Sequence, residues 1–351
     1  MSATSGVSGK LDVSLVIPCY NGERHLAQAI GSALEQTRPP SEIIVVDDGS
    51  TDRSREVARQ FGGVVRLIEG DHGGACRARN IGAAAVRGGA LMFLDADDVL
   101  GPTALEALER SLARTPGGIA LCRWHRLEQD GRRWVQKPAS CRPRHPGEDL
   151  LSAWLLGWYH PPCAVLWSRD AYERNGPWDE GIPGNPNDDG ELMMRALARR
   201  IPVTISSQGA AYYRRPGTGQ ETLSGKRFGG EGLRARLEVF LKVVAILEFE
   251  GRLDGYREPV GQALDMLADD CADDHPALEA ECRALARQYS GPSWKRSSRR
   301  ALARTGARIR QVRGRVSDPL GALKRRRRSL AREVRYGLSS SRGDGRGGKT
   351  M

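Results

Sequence analysis

The stretch Ala90-Leu91-Met92-Phe93-Leu94-Asp95-Ala96-Asp97-Asp98 decides the fold of this 351-residue chain. Its apolar residues predict a buried strand, and its acidic residues follow where that strand ends. Carboxylates at the carboxyl end of a strand can hold a divalent cation that faces a ligand crevice. Two carboxylates one residue apart can bracket Mg²⁺ or Mn²⁺ and leave positions open for diphosphate oxygens. An acidic turn that caps a helix near Thr103 would give the same local sequence.

The residues before this stretch alternate short apolar runs with helical segments. The predicted strands are 13–17, 43–46, 64–68 and 90–94, and the predicted helices between them are 24–35, 51–61 and 75–86. Nearly continuous hydrophobic strands separated by helices indicate a mainly parallel sheet with helices on both faces. The predicted fold class is therefore α/β, and functional residues should lie on loops after the carboxyl ends of the strands.

Charged residues are distributed unevenly along the chain. The net charge is +11, but residues 292–351 hold 19 Lys and Arg against 3 Asp and Glu, so the remainder is mildly acidic. We expect residues 1–11 to be disordered, 12–228 to form the α/β domain and 229–291 to be a helical C-terminal extension. Residues 292–351 are predicted to be a basic tail, partly helical and then disordered.

No targeting or membrane-spanning segment is predicted. Residues 1–10 lack the apolar core of a signal peptide, and no stretch approaches the roughly 20 apolar residues that a spanning helix needs. The seven cysteines are widely spaced and form no paired CxxC motif, which favours reduced thiols. These features predict a cytoplasmic protein.

The predicted α/β domain lacks the sequence motifs of two common classes of nucleotide-binding protein. A dinucleotide-binding domain would place G-x-G-x-x-G where the chain has Pro18-Cys19-Tyr20-Asn21-Gly22. No G-x-x-x-x-G-K-[ST] motif occurs in residues 12–228, and the match at residues 343–350 lies in the basic tail, after no predicted strand. A second acidic strand end, Asp47-Asp48, precedes the one at residues 95–98. Carboxylates at two strand ends indicate a site for a nucleotide with a metal-bound diphosphate.

Four motifs in order resemble the signature of family two glycosyltransferases. They are Val16-Ile17-Pro18-Cys19-Tyr20-Asn21, Val46-Asp47-Asp48-Gly49-Ser50-Thr51-Asp52, Gly73-Gly74 with Ala78-Arg79-Asn80-Ile81-Gly82, and Phe93-Leu94-Asp95-Ala96-Asp97-Asp98. The resemblance covers roughly residues 12–225 and implies the GT-A fold of nucleotide-diphospho-sugar transferases. It implies a metal-dependent, hexosyltransferase-type enzyme that uses Mn²⁺ or Mg²⁺. The implied reaction is inverting sugar transfer from a nucleotide-diphosphate donor, most simply a UDP-sugar, to a saccharide or lipid-linked hydroxyl in cell-surface glycan assembly.

The resemblance also assigns donor-binding roles. The loop from Pro18 to Asn21 would line the base pocket, with Tyr20 against the nucleobase unless it is an ordinary half-buried aromatic. Asp48 would accept a hydrogen bond from a pyrimidine N3–H, which favours uracil or thymine over cytosine. Arg79 would neutralise phosphate oxygens, unless it is a solvated helix residue. Asp95 would bind the ribose hydroxyls.

The metal site implied by the resemblance departs from the family pattern. Asp97 would ligate the cation, and Asp98 would either assist it or cap the next helix. The family often has Tyr-Arg-x-His after its last strand, whereas this chain has Tyr212-Tyr213-Arg214-Arg215-Pro216, with no His. Arg215 or Lys226 would then contact the phosphates as a fixed positive charge, but neither can ligate a metal.

An inverting transferase needs a carboxylate base that removes the acceptor proton. In this family the base is the Asp of a Glu-Asp pair that opens a helix. Here Asp188 replaces the Glu and Asp189 would be the base, although either residue could merely cap the helix. Gly190 stands where the family usually has a bulky aromatic residue, which would widen the acceptor pocket.

Two other functions remain open at this point. A sugar nucleotidyltransferase shares a nucleotide-binding α/β layout, but its Gly-rich, Arg-containing first loop does not fit residues 18–22. A catalytically silent binding or scaffold protein would keep the fold and use the basic tail. Nothing in the sequence predicts specific binding to nucleic acid.

The basic tail predicts contact with an anionic membrane, which would place the protein at the inner face of the plasma membrane. Leu320, Leu323, Leu330 and Val334 are interleaved with the basic run 324–328. On an anionic surface each basic residue adds about 1 kcal/mol of binding free energy. The alternatives are a tail that contacts nothing specific or one attracted to any polyanion.

We expect the whole chain to co-sediment with anionic liposomes at low salt, and a version ending at Gly291 to stay in solution. Neutral liposomes are the control. Equal binding of both versions, or binding of neither, would contradict the membrane prediction.

Overall fold

A computed structural model describes residues 11–130, 133–139, 141–182, 187–215, 228–272 and 274–290. The predictions for residues 1–10, for Lys226 and for the tail 292–351 concern parts of the chain outside these ranges.

The described strands form one nine-stranded sheet. They are β1 (Val13–Cys19), β2 (Glu42–Asp48), β3 (Val65–Gly70), β4 (Ala90–Phe93), β5 (Val99–Leu100), β6 (Ile119–Asp130), β7 (Arg133–Pro138), β8 (Val165–Ser168) and β9 (Val203–Arg215). The order is β3-β2-β1-β4-β8-β6-β9-β5, and β7 pairs with β6. The first four strands are parallel, β8 is antiparallel to both of its neighbours, and β6 runs parallel to β9.

Ten described α-helices accompany this sheet. They are α1 (Leu26–Leu34), α2 (Ser54–Arg59), α3 (Ala75–Ala85), α4 (Ala104–Leu112), α5 (Leu150–Leu155), α6 (Arg169–Asn175), α7 (Asp188–Ala198), α8 (Gly230–Phe249), α9 (Leu253–Cys271) and α10 (Pro276–Ser290). The predicted α/β class is confirmed, as are the four N-terminal strands and the helical character of the region after residue 229.

The strands β1, β2 and β4 are buried on both faces, whereas the edge strand β3 is partly exposed. Successive side chains of a strand point to opposite sides of the sheet. In β1, Val16 packs in one apolar cluster with Ile44 and Phe93, whereas Ile17 packs in a second cluster with Ile43. This division explains why the strands are apolar without alternation, since neither face meets water.

The C-terminal helices pack against the α/β body. Arg252, between α8 and α9, donates from Nη1 to the carbonyl oxygens of Leu197 and Ala198 at 3.0 and 2.5 Å. These carbonyls lie in the last turn of α7, where helix carbonyls lack the usual i+4 partner, and that of Leu197 also accepts the backbone N–H of Arg200 at 3.1 Å. The contact therefore ties the helical extension to the far end of α7. In the described part of the chain, no helix combines the length and apolar character needed to cross a bilayer.

The close approach of α3 to the sheet depends on Gly82. A Cβ at this position would lie 2.3 Å from Cγ1 of Val16 and 3.2 Å from Cγ2 of Val46. Neither valine can move freely, because each belongs to a buried strand. The absence of a side chain at Gly82 thus sets the distance between α3, which carries Arg79, and the strands that end at the site.

We expect Gly82→Ala to lower the free energy of unfolding by about 1–3 kcal/mol, the usual cost of overpacking a core. Gly31→Ala in α1 is the matched control, because a Cβ there meets no atom within 4 Å. That control should be more stable by about 0.5–1 kcal/mol, since Ala favours a helix over Gly. Urea denaturation measures both, and an unchanged midpoint for Gly82→Ala would contradict the packing argument.

Candidate functional site

The loops after β1 and β2 are fastened to each other. Pro18 is buried near the end of β1, in register with Val46 of β2. Asn21 has a positive φ of 50°, donates from its backbone N–H to Ser50 Oγ at 2.9 Å, and accepts from the backbone N–H of Thr51 at 2.8 Å. The Asn21 side chain thus holds the loop after β1 against the loop after β2. Direct donor contacts by Pro18 and Asn21 stay predictions.

Tyr20 and His72 stack at the mouth of the crevice. Their ring centroids lie 4.1 Å apart with a 28° angle between planes, and Tyr20 is 49% exposed. Beneath them, Asp48 accepts the backbone N–H groups of Gly73 and Gly74 at 2.8 and 2.9 Å. An ionised carboxylate has about four acceptor positions, so Asp48 retains capacity for a ligand N–H. His72 was not singled out from the sequence, although it directly precedes the Gly73-Gly74 motif.

The acidic loop after β4 presents its carboxylates in different ways. Asp97 is exposed, whereas Asp98 is fully buried and accepts from the backbone N–H of Arg214 at 2.8 Å. Desolvation of its carboxyl group and the charge of Asp95 raise the pKa of Asp97 to about 6, although the residue as a whole is exposed. Burial, together with the charges of Asp97 and Asp95, raises the pKa of Asp98. A bound cation would relieve this repulsion.

The idea that Asp98 caps the next helix is wrong. The N-cap of α4 is Thr103, and Asp98 instead fixes the loop to β9. Among the described residues, no three His, Cys, Asp or Glu side chains form a metal site by themselves. The carboxylate oxygens nevertheless suit Mg²⁺ or Mn²⁺. Ligand oxygens would have to complete such a site, and roles for Asp97 and Asp98 as metal ligands stay predictions.

Arg79 connects the loop after β4 to the start of α7. Its side chain is 7% exposed, and its guanidinium donates to Asp95 Oδ1 at 2.8 Å and to Asp188 Oδ2 at 2.6 Å. The guanidinium carbon lies 4.4 Å from the ring centroid of Trp178, which covers it. Arg79 is therefore not the solvated helix residue that the sequence left open. Its neighbour Asn80 fixes the loop that supplies Trp178, through bonds to the Trp178 N–H at 2.8 Å and carbonyl at 2.9 Å.

Asp188 and Asp189 open α7, but the N-cap residue is Asn187. Asp188 forms an ion pair with Arg79. Asp189 forms no ion pair among the described residues. Burial and the neighbouring charge of Asp188 raise the pKa of Asp189 to about 7. A carboxylate with this pKa is matched to proton abstraction near neutral pH.

The expectation that Gly190 widens the adjoining pocket is wrong. A Cβ at Gly190 would lie 2.2 Å from Oδ1 of Asn187, so the Asn187 side chain occupies the space above this glycine. The side chain of Asn187 thus covers the first turn of α7. Sequence spacing could not reveal this contact, because it depends on the rotamer of Asn187.

Arg214 is a second site residue that the sequence analysis missed. It is 3% exposed, contacts Nδ1 of His25, donates to Gln28 Oε1 at 2.6 Å and lies 4.6 Å from the ring centroid of Trp134. Burial and the charge of Arg214 lower the pKa of His25 to about 4, so this imidazole is neutral. The only sequence feature that pointed to Arg214 was its place in the pair Arg214-Arg215 at the end of β9.

Arg215, the residue named from the sequence, is the next residue of β9. Within the described ranges, the structure records no contact between Arg215 and the acids at residues 95–98. A phosphate contact by Arg215 stays a prediction.

Comparisons with known proteins show which family this domain resembles. Residues 14–175 match the family model described as glycosyl transferase family 2. The uncharacterized glycosyltransferase EpsJ of Bacillus subtilis is 28% identical over 216 residues, which cover 58% of this chain and 60% of the relative. A glycosyltransferase of Rickettsia prowazekii is 39% identical over 173 residues, which cover 48% of this chain and 54% of the relative. The chain thus spans little more than half the length of these relatives.

The crystal structure of S. aureus TarS 1–349 in complex with UDP-GlcNAc shares the fold. Its TM-score is 0.54 at 16% identity, and the match covers 80% of this chain and 89% of that chain. The same fragment in complex with UDP gives a TM-score of 0.53 at 17% identity. These likenesses support the predicted GT-A architecture with C-terminal helices.

Proposed function

We propose that this chain, whose residues 14–175 match the model of family 2 glycosyltransferases, transfers a sugar from a UDP-sugar with inversion of the anomeric carbon. The acceptor would be a hydroxyl of a saccharide or of a lipid-linked molecule. One observation carries the proposal: the Arg79 guanidinium bonds both to Asp95 at the end of β4 and to Asp188 at the start of α7. The acid that would bind the donor and the pair that would contain the base therefore lie next to each other.

Donor binding would use the edge where the parallel strands end. Tyr20 and His72 offer aromatic faces for a nucleobase, and Asp48 lies beneath them with acceptor capacity for an N–H group. Asp95 would bind the ribose hydroxyls. The TarS complexes with UDP and with UDP-GlcNAc support a uridine nucleotide as the first candidate.

Asp97, assisted by Asp98, would hold Mn²⁺ or Mg²⁺. A divalent cation bound there supplies electrostatic stabilisation of the leaving diphosphate. The buried guanidinium of Arg214 adds a fixed positive charge beside the same acids. This charge is distinct from the phosphate contact that the sequence analysis assigns to Arg215 or Lys226.

Asp189 would act as the general base. Its ionised carboxylate takes the proton of the acceptor hydroxyl while the hydroxyl oxygen bonds to the anomeric carbon and the bond to the diphosphate breaks. Asp188 and Arg79 keep the start of α7 beside Asp95, so the base stays next to the donor. The pKa of about 7 leaves a useful fraction of Asp189 ionised at neutral pH.

Incubation with a panel of nucleotide sugars in Mn²⁺ or Mg²⁺, with detection of the released nucleotide, tests the proposal. We expect release of UDP from at least one UDP-sugar, accelerated by a glycan or lipid-linked acceptor. Release of pyrophosphate from a nucleoside triphosphate and a sugar phosphate would instead identify a nucleotidyltransferase. Binding of UDP-sugars without any turnover would favour a silent binding protein.

Asp189→Asn should lower the transfer rate by about 10²–10⁴, the range for loss of a general base, while UDP binding stays unchanged. Asp188→Asn is the matched control and should cost less. Because the ionised form of Asp189 is active, the wild-type rate should rise tenfold per pH unit below about 7 and level off above it. A larger loss at Asp188 than at Asp189 would overturn this assignment.

Asp97→Ala should abolish transfer and weaken metal-dependent UDP binding, because a metal ligand and its charge are lost. Calorimetric titration of UDP with Mn²⁺, and again with EDTA, measures this effect. Asp47→Asn is a useful comparison, since Asp47 binds Arg55 within the protein at 2.7 Å. Unchanged UDP–Mn²⁺ affinity in Asp97→Ala would show that the metal is held elsewhere.

A further inference from the structure

A small internal cavity lies directly behind Asp189. Its remaining lining residues are Phe93, His160, Pro162, Val165, Trp167, Trp178, Leu192 and Met193. The volume open to the centre of a water molecule is about 10 Å³, which is close to what a single water needs. Most of the wall is apolar, so a water held there would depend on the few polar groups that face it.

His160 is the first of these polar groups. It is 7% exposed, and its Nδ1 has no hydrogen-bond partner among the described residues. A neutral imidazole with its proton on the other nitrogen, Nε2, has a lone pair on Nδ1. Burial lowers the pKa of His160 to about 4, so the ring is neutral. Nδ1 therefore presents a lone pair and acts as an acceptor.

Trp178 is the second polar group. It is 2% exposed, and its Nε1–H also finds no partner in the described part of the chain. A buried indole N–H normally donates a hydrogen bond, so this orphaned group calls for a ligand. Asp189 supplies a third polar group, a carboxylate that can only accept when it is ionised.

These three groups complement one water molecule. A water donates two hydrogen bonds, which match His160 Nδ1 and the Asp189 carboxylate, and it accepts the hydrogen bond of Trp178 Nε1–H. We propose that a single buried water, held by His160 and Trp178, donates to Asp189 and fixes the orientation and ionisation of this carboxylate. The inference rests on the proposed function, because it makes His160 and Trp178 positioning residues for the general base.

The charges around Asp189 show what this water contributes. Asp188 and Asp95 disfavour ionisation of Asp189, and Arg79 favours it. The Arg79 guanidinium forms its ion pairs with Asp95 and Asp188, so its effect on Asp189 is that of a nearby charge. A hydrogen bond donated to the ionised carboxylate from the cavity side adds to the effect of Arg79. Loss of that bond should raise the pH at which the base becomes active.

Two substitutions at His160 separate this role from simple packing. His160→Gln places its amide near the position of Nε2, so the acceptor toward the cavity is lost. His160→Asn places its amide near the position of Nδ1, so the acceptor is kept. Trp178→Phe removes the N–H and keeps an aromatic face against Arg79.

The measurement is the pH dependence of kcat, with KM for the UDP-sugar and the melting temperature as controls. We expect the lower pH midpoint to rise by about one unit in His160→Gln and Trp178→Phe, as for the loss of a hydrogen bond to a charged group. His160→Asn should keep the wild-type midpoint, whatever its melting temperature, and KM should stay unchanged in all three. Wild-type midpoints in both His160→Gln and Trp178→Phe would overturn the proposal.

A crystal structure of the wild-type protein at about 1.5 Å resolution gives a test that needs no activity. It should contain a water about 2.7–3.2 Å from His160 Nδ1, Trp178 Nε1 and a carboxylate oxygen of Asp189. A dry cavity would refute the proposal even in an active enzyme. An inactive wild-type protein that contains this water would refute the proposed function and leave the hydrogen-bonded arrangement established.

Discussion

The site depends on one buried guanidinium. A cation as enclosed as Arg79 is tolerated only where anions neutralise it and accept its hydrogen bonds. Asp95 and Asp188 provide this compensation from positions 16 and 109 residues away along the chain. The ring of Trp178 covers the guanidinium. Folding of α3 onto the sheet therefore requires the end of β4, the start of α7 and the loop before α7 to converge on one point.

Helix α7 is held at both ends, which explains why the C-terminal helices matter to the site. At its start, Asp188 bonds to Arg79 and acidic residues complement the helix dipole. At its end, Arg252 satisfies the carbonyls of Leu197 and Ala198. The helical extension thus acts as a support for the candidate base, although its own residues lie away from the crevice.

The acidic loop after β4 divides its carboxylates between structure and chemistry. Asp98 is buried and holds the loop to β9 through the Arg214 backbone, and this anchor leaves Asp97 at the surface of the crevice. Desolvation, together with the charges of the neighbouring acids, raises the pKa of Asp97 and of Asp98. Arg214 offsets part of the charge from one side, and a divalent cation would offset the rest from the crevice side. The arrangement favours cation binding without a complete set of protein ligands.

The sequence by itself determined the parallel half of the sheet, because strands buried on both faces must be apolar throughout, as 43–46 and 90–94 are. It also located the acids, because parallel strands carry their carboxyl ends to a common edge. Only the tertiary structure decided that Arg214 lies beside the acids, that Asp98 is buried, and that Asn187 fills the space next to Gly190. These outcomes depend on side-chain contacts between distant segments, such as that of Arg214 with His25, 189 residues away, and local sequence patterns carry no record of such pairings.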